Sequence, residues 1–188
     1  GLDEVVPGLA GSRLRLLNEA ARLRSPVAIL SSATGPTHTN QMQDAESAAA
    51  SLGVKLVTMR VAEPKDFENA FEAMARQKAS AVVVFSGVMT NIHRNSIVLL
   101  PEQYRSPAIH WTVAYVRSGG LMYYGPNSPG MYKRSAAFVD KILKGASPSV
   151  LPIEYPQEFE LIVNLKTVKE LGLTLPKTLL EKADRLLE

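Results

Sequence analysis

Short groups of hydroxyl, amide and aromatic side chains recur at three places in this 188-residue chain, each directly after an apolar run. Ser31, Ser32 and Thr34, with Thr37 and Thr39 beyond them, follow VAIL. Ser86, Gly87 and Met89, then Thr90 and Asn91, follow AVVVF. Trp111 and Thr112, with Tyr115 close behind, follow PAIH. Neutral donors and acceptors beside flat apolar rings suit noncovalent capture of a small molecule with a polar head and an apolar body. They do not suit bond breaking. His38, His93 and His110 are scattered, with no short metal-ligand spacing. No G-x-S-x-G elbow, phosphate loop, G-x-G-x-x-G or H-E-x-x-H motif occurs. Spacing offers no nucleophile–base pair. The expectation is a protein that is not an enzyme and uses no cofactor or metal.

Each candidate also has a plainer structural role. Ser and Thr after strands cap helices and form turns. Trp111, the single tryptophan, serves equally well as a core anchor. Tyr123 and Tyr124 lie on one expected strand, where side chains alternate. One of them should pack and the other face a cleft, and Tyr124 is the candidate for the cleft.

The elements that must position these groups alternate along the chain. Residues 12–23 read as a helix with Leu14, Leu17 and Ala21 on one face, Ser12 as N-cap, and Arg13 and Arg15 on a solvated face. VAIL (27–30) is a strand of the kind buried on both sides. A helix follows to about Leu52, stopped by Gly53. The unit repeats as strand 54–61 and a helix over 64–77 with Phe67, Phe71 and Met74 inward. Strand 80–86, a helical stretch 87–100 and strand 106–112 come next. This order implies right-handed strand–helix–strand units: an α/β fold, a parallel sheet with helices on both faces.

After Val116 the rhythm changes. Gly119 and Gly120 read as a flexible joint, followed by strand LMYYG (121–125). A helix with Tyr132, Ala136, Val139 and Leu143 inward ends at Gly145. Residues 147–156 hold three prolines, Pro152 among them and Pro156 at the end, which suits an extended crossing segment. FELIVN (159–164) is a further strand, and Thr167–Leu171 and Pro176–Leu187 read as closing helices. A joint, one strand–helix unit and a proline-lined return suit a two-lobed protein whose chain passes between lobes. Gly119, Gly120, Pro152 and Pro156 are the expected hinge.

Composition narrows the class. Hydrophobic residues make up 46% and charged residues 21%, ordinary for a globular protein. The net charge of +3 comes without a basic stripe, which argues against nucleic acid as a partner. The absence of cysteine excludes disulfides, zinc–thiolate sites and thiol catalysis. No run approaches the roughly 20 apolar residues of a membrane span. GLDEVVPGLAGS lacks the pattern of a signal peptide, so any such segment is expected upstream of this chain.

Several stretches together carry a family resemblance: GGLMYYGPN, VDKILKGASP, LPIEYP, FELIVNLKTVKELGL and LPKTLL, preceded by RLRLLNEA, VAILSS, AASLGV and AFEAMARQKASAVVV. The chain resembles the extracytoplasmic substrate-binding proteins of ABC transporters, and within them the tryptophan/tyrosine-type subgroup. The resemblance implies a type I periplasmic-binding-protein fold with two α/β lobes, three crossing strands and a ligand in the cleft. Residues 1–118 would be the C-terminal lobe, 119–152 a strand–helix segment belonging to the N-terminal lobe, and 153–188 the return to the C-terminal lobe. Most of the N-terminal lobe would lie upstream. An ABC permease is the implied partner, beside the small-molecule ligand, in a periplasmic or extracytoplasmic setting. A ligand-sensing domain of a regulator or receptor with the same fold is the alternative.

The sequence departs from its relatives where ligand contacts gather. SSATGPT replaces an Asn-Pro loop, Ser86–Gly87 stand where an acidic residue is usual, and Val116–Arg117–Ser118 lack a customary Glu. The resemblance implies an aromatic amino acid as ligand, and these departures widen the expectation to another small carboxylate-bearing metabolite. Without its own lobe, the helix after residue 126 would expose Val139, Ile142 and Leu143. That predicts a homodimer, a domain swap or a helix docked on the remaining lobe.

Overall fold

The computed structural model describes residues 2, 6–24, 26–35 and 38–188, with the backbone alone at 100–102; Thr37 lies outside the described residues. Its centre is a seven-stranded sheet. The strands are β1 (Val27–Ser32), β2 (Leu56–Val61), β3 (Val82–Val84), β4 (Ala108–His110), β5 (Met122–Pro126), β6 (Phe159–Asn164) and β7 (Arg185–Leu187), in spatial order β2-β1-β3-β4-β5-β6-β7. The first five run parallel, as the alternation of elements requires. β6 returns antiparallel to β5, and β7 runs parallel to β6.

Helices cover both faces. α1 (Leu9–Ala21) and α2 (His38–Leu52) lie on one side; α3 (Asp66–Arg76) and α5 (Arg94–Gln103) lie on the other. Alternation along β1 shows the two layers. Val27 and Ile29 join the core beneath α1 and α2, while Ala28 and Leu30 join the core with Phe67, Phe71 and Met74 of α3. Short α4 (Val88–Ile92) and α6 (Val113–Arg117) follow β3 and β4, and α8 (Leu165–Glu170) and α9 (Lys177–Lys182) separate β6 from β7.

α1 and α2 pack closely because small residues face each other. A Cβ added at Gly11 would lie 2.8 Å from the Asp44 carbonyl and 3.2 Å from Ala48 Cβ, so only glycine permits the approach. α2 presents Ala45, Ala48 and Ala49 as its buried residues. The helix starts earlier than expected, at Leu9, and Ser12 lies within its first turn, donating its hydroxyl to the Gly8 carbonyl at 3.0 Å. Gly53 ends α2 with φ +67°, the left-handed conformation expected of a helix stop.

Three expectations are corrected. The strand at 121–125, assigned to a second lobe, is part of the main sheet: β5 pairs with β4 and β6 through Met122 and Tyr123. Gly119 and Gly120 therefore belong to this same lobe, Gly119 at its surface and Gly120 buried; Thr167 Oγ1 donates to the Gly119 carbonyl at 2.7 Å and Asn164 Nδ2 to the Val116 carbonyl at 3.3 Å. They form the turn that brings β5 beside β4, with Gly119 at φ +107°. The closing helix over Pro176–Leu187 is shorter than expected; it stops at Lys182, and Arg185–Leu187 pair with Ile162–Asn164 as β7.

α7 (Ser128–Leu143) leaves the sheet beyond β5. Asn127 caps it, accepting from the Gly130 N–H at 3.2 Å, and donates its own N–H to the Glu158 carbonyl at 2.9 Å on the returning strand. Arg134 forms a two-pronged pair with Glu154, at 2.6 and 2.8 Å. Only Phe138 is buried on this helix. Tyr132, Ala136, Val139 and Leu143, the expected inward face, are exposed, and Leu143 reaches 81%.

The Gly120 turn yields a stability test. A Cβ there would sit 2.7 Å from His110 Nε2 and 3.0 Å from the Tyr115 carbonyl. Gly120→Ala is expected to cost about 1–3 kcal/mol of unfolding free energy, as overpacking of a filled core does. Urea denaturation would read this as a lower midpoint. An unchanged midpoint would mean that the turn yields freely.

Candidate functional site

An open sheet buried on both faces leaves ligands only the carboxyl ends of its strands. Beyond the ends of β3, β4 and β5 a cleft of about 330 Å³ opens beneath α1 and α2. Ser86, Trp111 and Pro126 form its floor; Arg13 of α1 and Gln41 and Asp44 of α2 stand over it.

Ser86 is held on three sides by one side chain. Gln41 Oε1 accepts from the Ser86 N–H at 3.0 Å and from the Ser86 hydroxyl at 3.2 Å, and Gln41 Nε2 lies 3.4 Å from the Ser86 carbonyl. With its proton turned to Gln41, the Ser86 oxygen keeps lone pairs for a donor. Asp44 Oδ2 accepts from the Gly8 N–H at 2.6 Å, which fixes how the chain enters α1.

Arg13 was expected on a solvated helix face and is instead buried, at 4% exposure. The reason lies in unequal strand lengths. The β4–β5 ladder stops at His110 and Tyr123, and one residue further the Tyr124 carbonyl accepts from Arg13 Nε at 2.7 Å. Burial pushes the Arg13 guanidinium down to about 10, against the neighbouring Tyr123 and Tyr124 phenols that favour its charge. It is a cation at neutral pH.

Of the residues predicted for binding, the structure brings Ser86 and Trp111 to the cleft, Trp111 packing also against the α3 side of the core, and disperses the rest. β1 runs two residues longer than the apolar run, because Ser31 and Ser32 pair with Arg60 and Val61 of β2. Both are therefore buried strand residues and not loop residues. Ser32 Oγ accepts from the Met89 N–H at 3.1 Å, tying β1 to the start of α4, and Gly87 is required there because a Cβ would meet that oxygen at 2.3 Å. Ser31 Oγ has no partner among the described residues. Thr34 is exposed in the following loop, Met89 packs against the α3 side of the core, and Thr112 precedes α6 as its extended N-cap. Tyr124 stacks on Phe159, with centroids 6.0 Å apart, and contributes to the site through its carbonyl alone. Tyr123 is buried, its hydroxyl donating to the Pro126 carbonyl at 2.7 Å.

Spacing missed the contributions of α1 and α2. Arg13, Gln41 and Asp44 lie among polar helix residues that look solvent-facing in sequence. Their signal is the glycine and alanine face beside them, which draws the two helices over the strand ends. Among the described residues, no group of three or more metal-binding side chains gathers, and no helix is long and apolar enough to cross a membrane.

Behind the floor, His110 is fully buried and stacked on Tyr115, with centroids 4.4 Å apart at 10°. Tyr115 in turn donates its hydroxyl to the Thr90 carbonyl, and burial pushes its phenol up. Burial, aided by the Arg13 charge, pushes the His110 imidazole down to about 3.

A model of the family described as ABC transporter substrate binding protein matches residues 16–187. No curated protein matches the chain in sequence. Among solved structures, a conserved domain protein from Vibrio cholerae superposes with a TM-score of 0.88 at 21% identity, covering 99% of this chain and 62% of that one. An ABC domain from Streptococcus pneumoniae in complex with L-Trp gives 0.86 at 19%, covering 99% and 63%. The ligand-free, open form of a substrate-binding protein with adhesive properties from Clostridium difficile gives 0.74 at 19%, covering 100% and 62%. At these identities the likeness is one of fold, the mostly parallel α/β arrangement of type I periplasmic binding proteins. The chain spans less than two thirds of the length of each.

The buried imidazole sets a pH dependence. The unfolded chain takes up a proton near pH 6.5, the folded one only near 3. The stability contribution is therefore intact above pH 6.5 and is lost as pH falls through 6.5 toward 3. Denaturant titrations at pH 7 and pH 5 should show a fall of about 1.4 kcal/mol per pH unit below 6.5 from this group. That component should be missing in His110→Gln. An equal acid slope in both proteins would contradict the assignment.

Proposed function

The chain belongs to the ABC transporter substrate-binding protein family, and on that premise we propose that it captures a small solute for an importer. The observation that carries the reading is the cleft at the carboxyl ends of β3, β4 and β5. It has a volume suited to a small metabolite, hydrogen-bonding groups at Ser86, Gln41 and Asp44, and an aromatic wall at Trp111. The ligand is an aromatic amino acid or another small carboxylate-bearing metabolite. Function lies in affinity and in the difference between open and closed shapes, with no chemical step. The protein works outside the cytoplasmic membrane and passes its ligand to a permease.

In this reading α7 and the Pro148–Val150 turn belong to a second lobe. The chain crosses to it at Asn127 and returns through Pro152, Glu154 and Pro156. The exposed Val139, Ile142 and Leu143 are then that lobe's core positions, and closure bends the crossing strands near Asn127 and Glu158. The lengths of the similar solved structures support this, since the chain covers only 62%, 63% and 62% of them.

Two measurements test the proposal on the complete gene product. Mass spectrometry of protein purified gently, and again after unfolding and refolding, should show a bound metabolite that the refolded protein rebinds. Trp111→Ala and Ser86→Ala should each weaken its binding about tenfold, equivalent to roughly 1.4 kcal/mol, with a native circular dichroism spectrum. Thr34→Ala should bind normally. Equal affinity in the Trp111 and Ser86 variants would remove the site. For the second lobe, Val139→Asp should destabilise the complete product by about 2 kcal/mol or more, as a charge placed in a core does. The same change should leave the 188-residue chain unaffected. Equal effects on both would refute the lobe assignment.

A further inference from the structure

Among the described residues, burial without an ionic partner sets Arg13 apart from the other cations. It is 4% exposed, yet no carboxylate among the described residues forms an ion pair with it. Its Nε is committed to the Tyr124 carbonyl, while its two Nη nitrogens make no hydrogen bond with any described residue, and the side chain lines the cleft. Asp44 shares the cleft but is engaged by the Gly8 N–H. His110, also within reach of the Arg13 charge, is kept neutral by burial.

Holding one carbonyl needs one donor. A neutral amide could supply it without the cost of a buried charge. A guanidinium does more: beyond Nε it presents a planar pair of donors whose spacing matches the two oxygens of a carboxylate. The surroundings add the rest of a ligand's outline. Leu9 and Pro126 give apolar walls beside the charge, with Trp111 at the junction of cleft and core.

Resting on the reading of this cleft as the solute site, we infer that Arg13 is its anion anchor, taking the carboxylate of a small, flat, largely apolar organic acid between its two Nη groups. Tyr124 holds the guanidinium in place through its carbonyl. The ligand class is set by this pairing: a carboxylate is required, and the uncharged analogue of the same shape is refused.

The test compares acids with their amides on the complete gene product. Calorimetric titrations with L-tryptophan, indole-3-acetate and benzoate are set against L-tryptophanamide, indole-3-acetamide and benzamide. At least one acid is expected to bind, about 30-fold or more tighter than its amide, as loss of a desolvated charge partner predicts. Arg13→Gln should abolish the difference. Arg13→Lys, which keeps a cation and a donor for Tyr124, should retain the fold and lose most of the preference. The comparison in the unaltered protein stands even if both variants unfold. Amides binding as tightly as acids would overturn the anchor and leave the solute-binding proposal standing. Binding of neither series would also overturn the anchor, and the co-purified metabolite then decides the wider proposal by itself. An acid preference that persists in Arg13→Gln would assign the carboxylate to another group.

Discussion

A sheet sealed on both faces by helices has nowhere to place polar chemistry except its ends. β1, β3 and β4 are buried along their whole lengths, with one layer of apolar side chains facing α1 and α2 and another facing α3 and α5. Every unpaired group worth a ligand's attention is therefore pushed to the carboxyl edge, where strands of unequal length stop at different heights. β3 and β4 stop level with each other, at Val84 and His110, while β5 runs on to Pro126. The step beside β4 exposes the Tyr124 carbonyl to Arg13, and the cleft forms over that step.

The cleft also depends on how near α1 comes to α2. Gly11 against the Asp44 carbonyl, and Ala48 beside it, set a separation that larger residues would prevent. Closeness of the backbones brings Arg13, Gln41 and Asp44 over the strand ends, and fixed hydrogen bonds then hold them. Gln41 grips Ser86 and Asp44 holds Gly8. Preorganised groups of this kind lose little freedom when a ligand arrives, which favours affinity more than added contact area does.

α7 obeys a different rule from the other helices. It is tied down at its base by Asn127 and by Arg134 with Glu154, yet its apolar stripe faces outward. A long amphipathic helix with one buried residue is incomplete packing by the standards of a soluble domain. The second lobe proposed above would cover that stripe.

Much of this was legible in sequence because it is local. Wholly apolar runs such as VAIL and AVVVF are strands buried on both sides, and the Phe67, Phe71 and Met74 spacing is a helix face; neither needs distant partners. The same logic singled out Ser86 and Trp111, polar and aromatic residues just beyond such runs, and both line the cleft. Pairing was not legible. An antiparallel β6 has the same apolar pattern as a parallel one, and Arg185–Leu187 carry leucines that suit a helix until Ile162 and Val163 offer them a ladder. Ser31 and Ser32 looked like loop because their strand partners, Arg60 and Val61, are far away in sequence. Arg13 looked solvated because helical periodicity assigns polar residues to water. What the chain determined by itself was the order of its elements and which faces must be dry. Tertiary structure alone decided which polar groups meet at the sheet's end, because strand register, strand length and helix approach are set by contacts between residues that sequence spacing does not bring together.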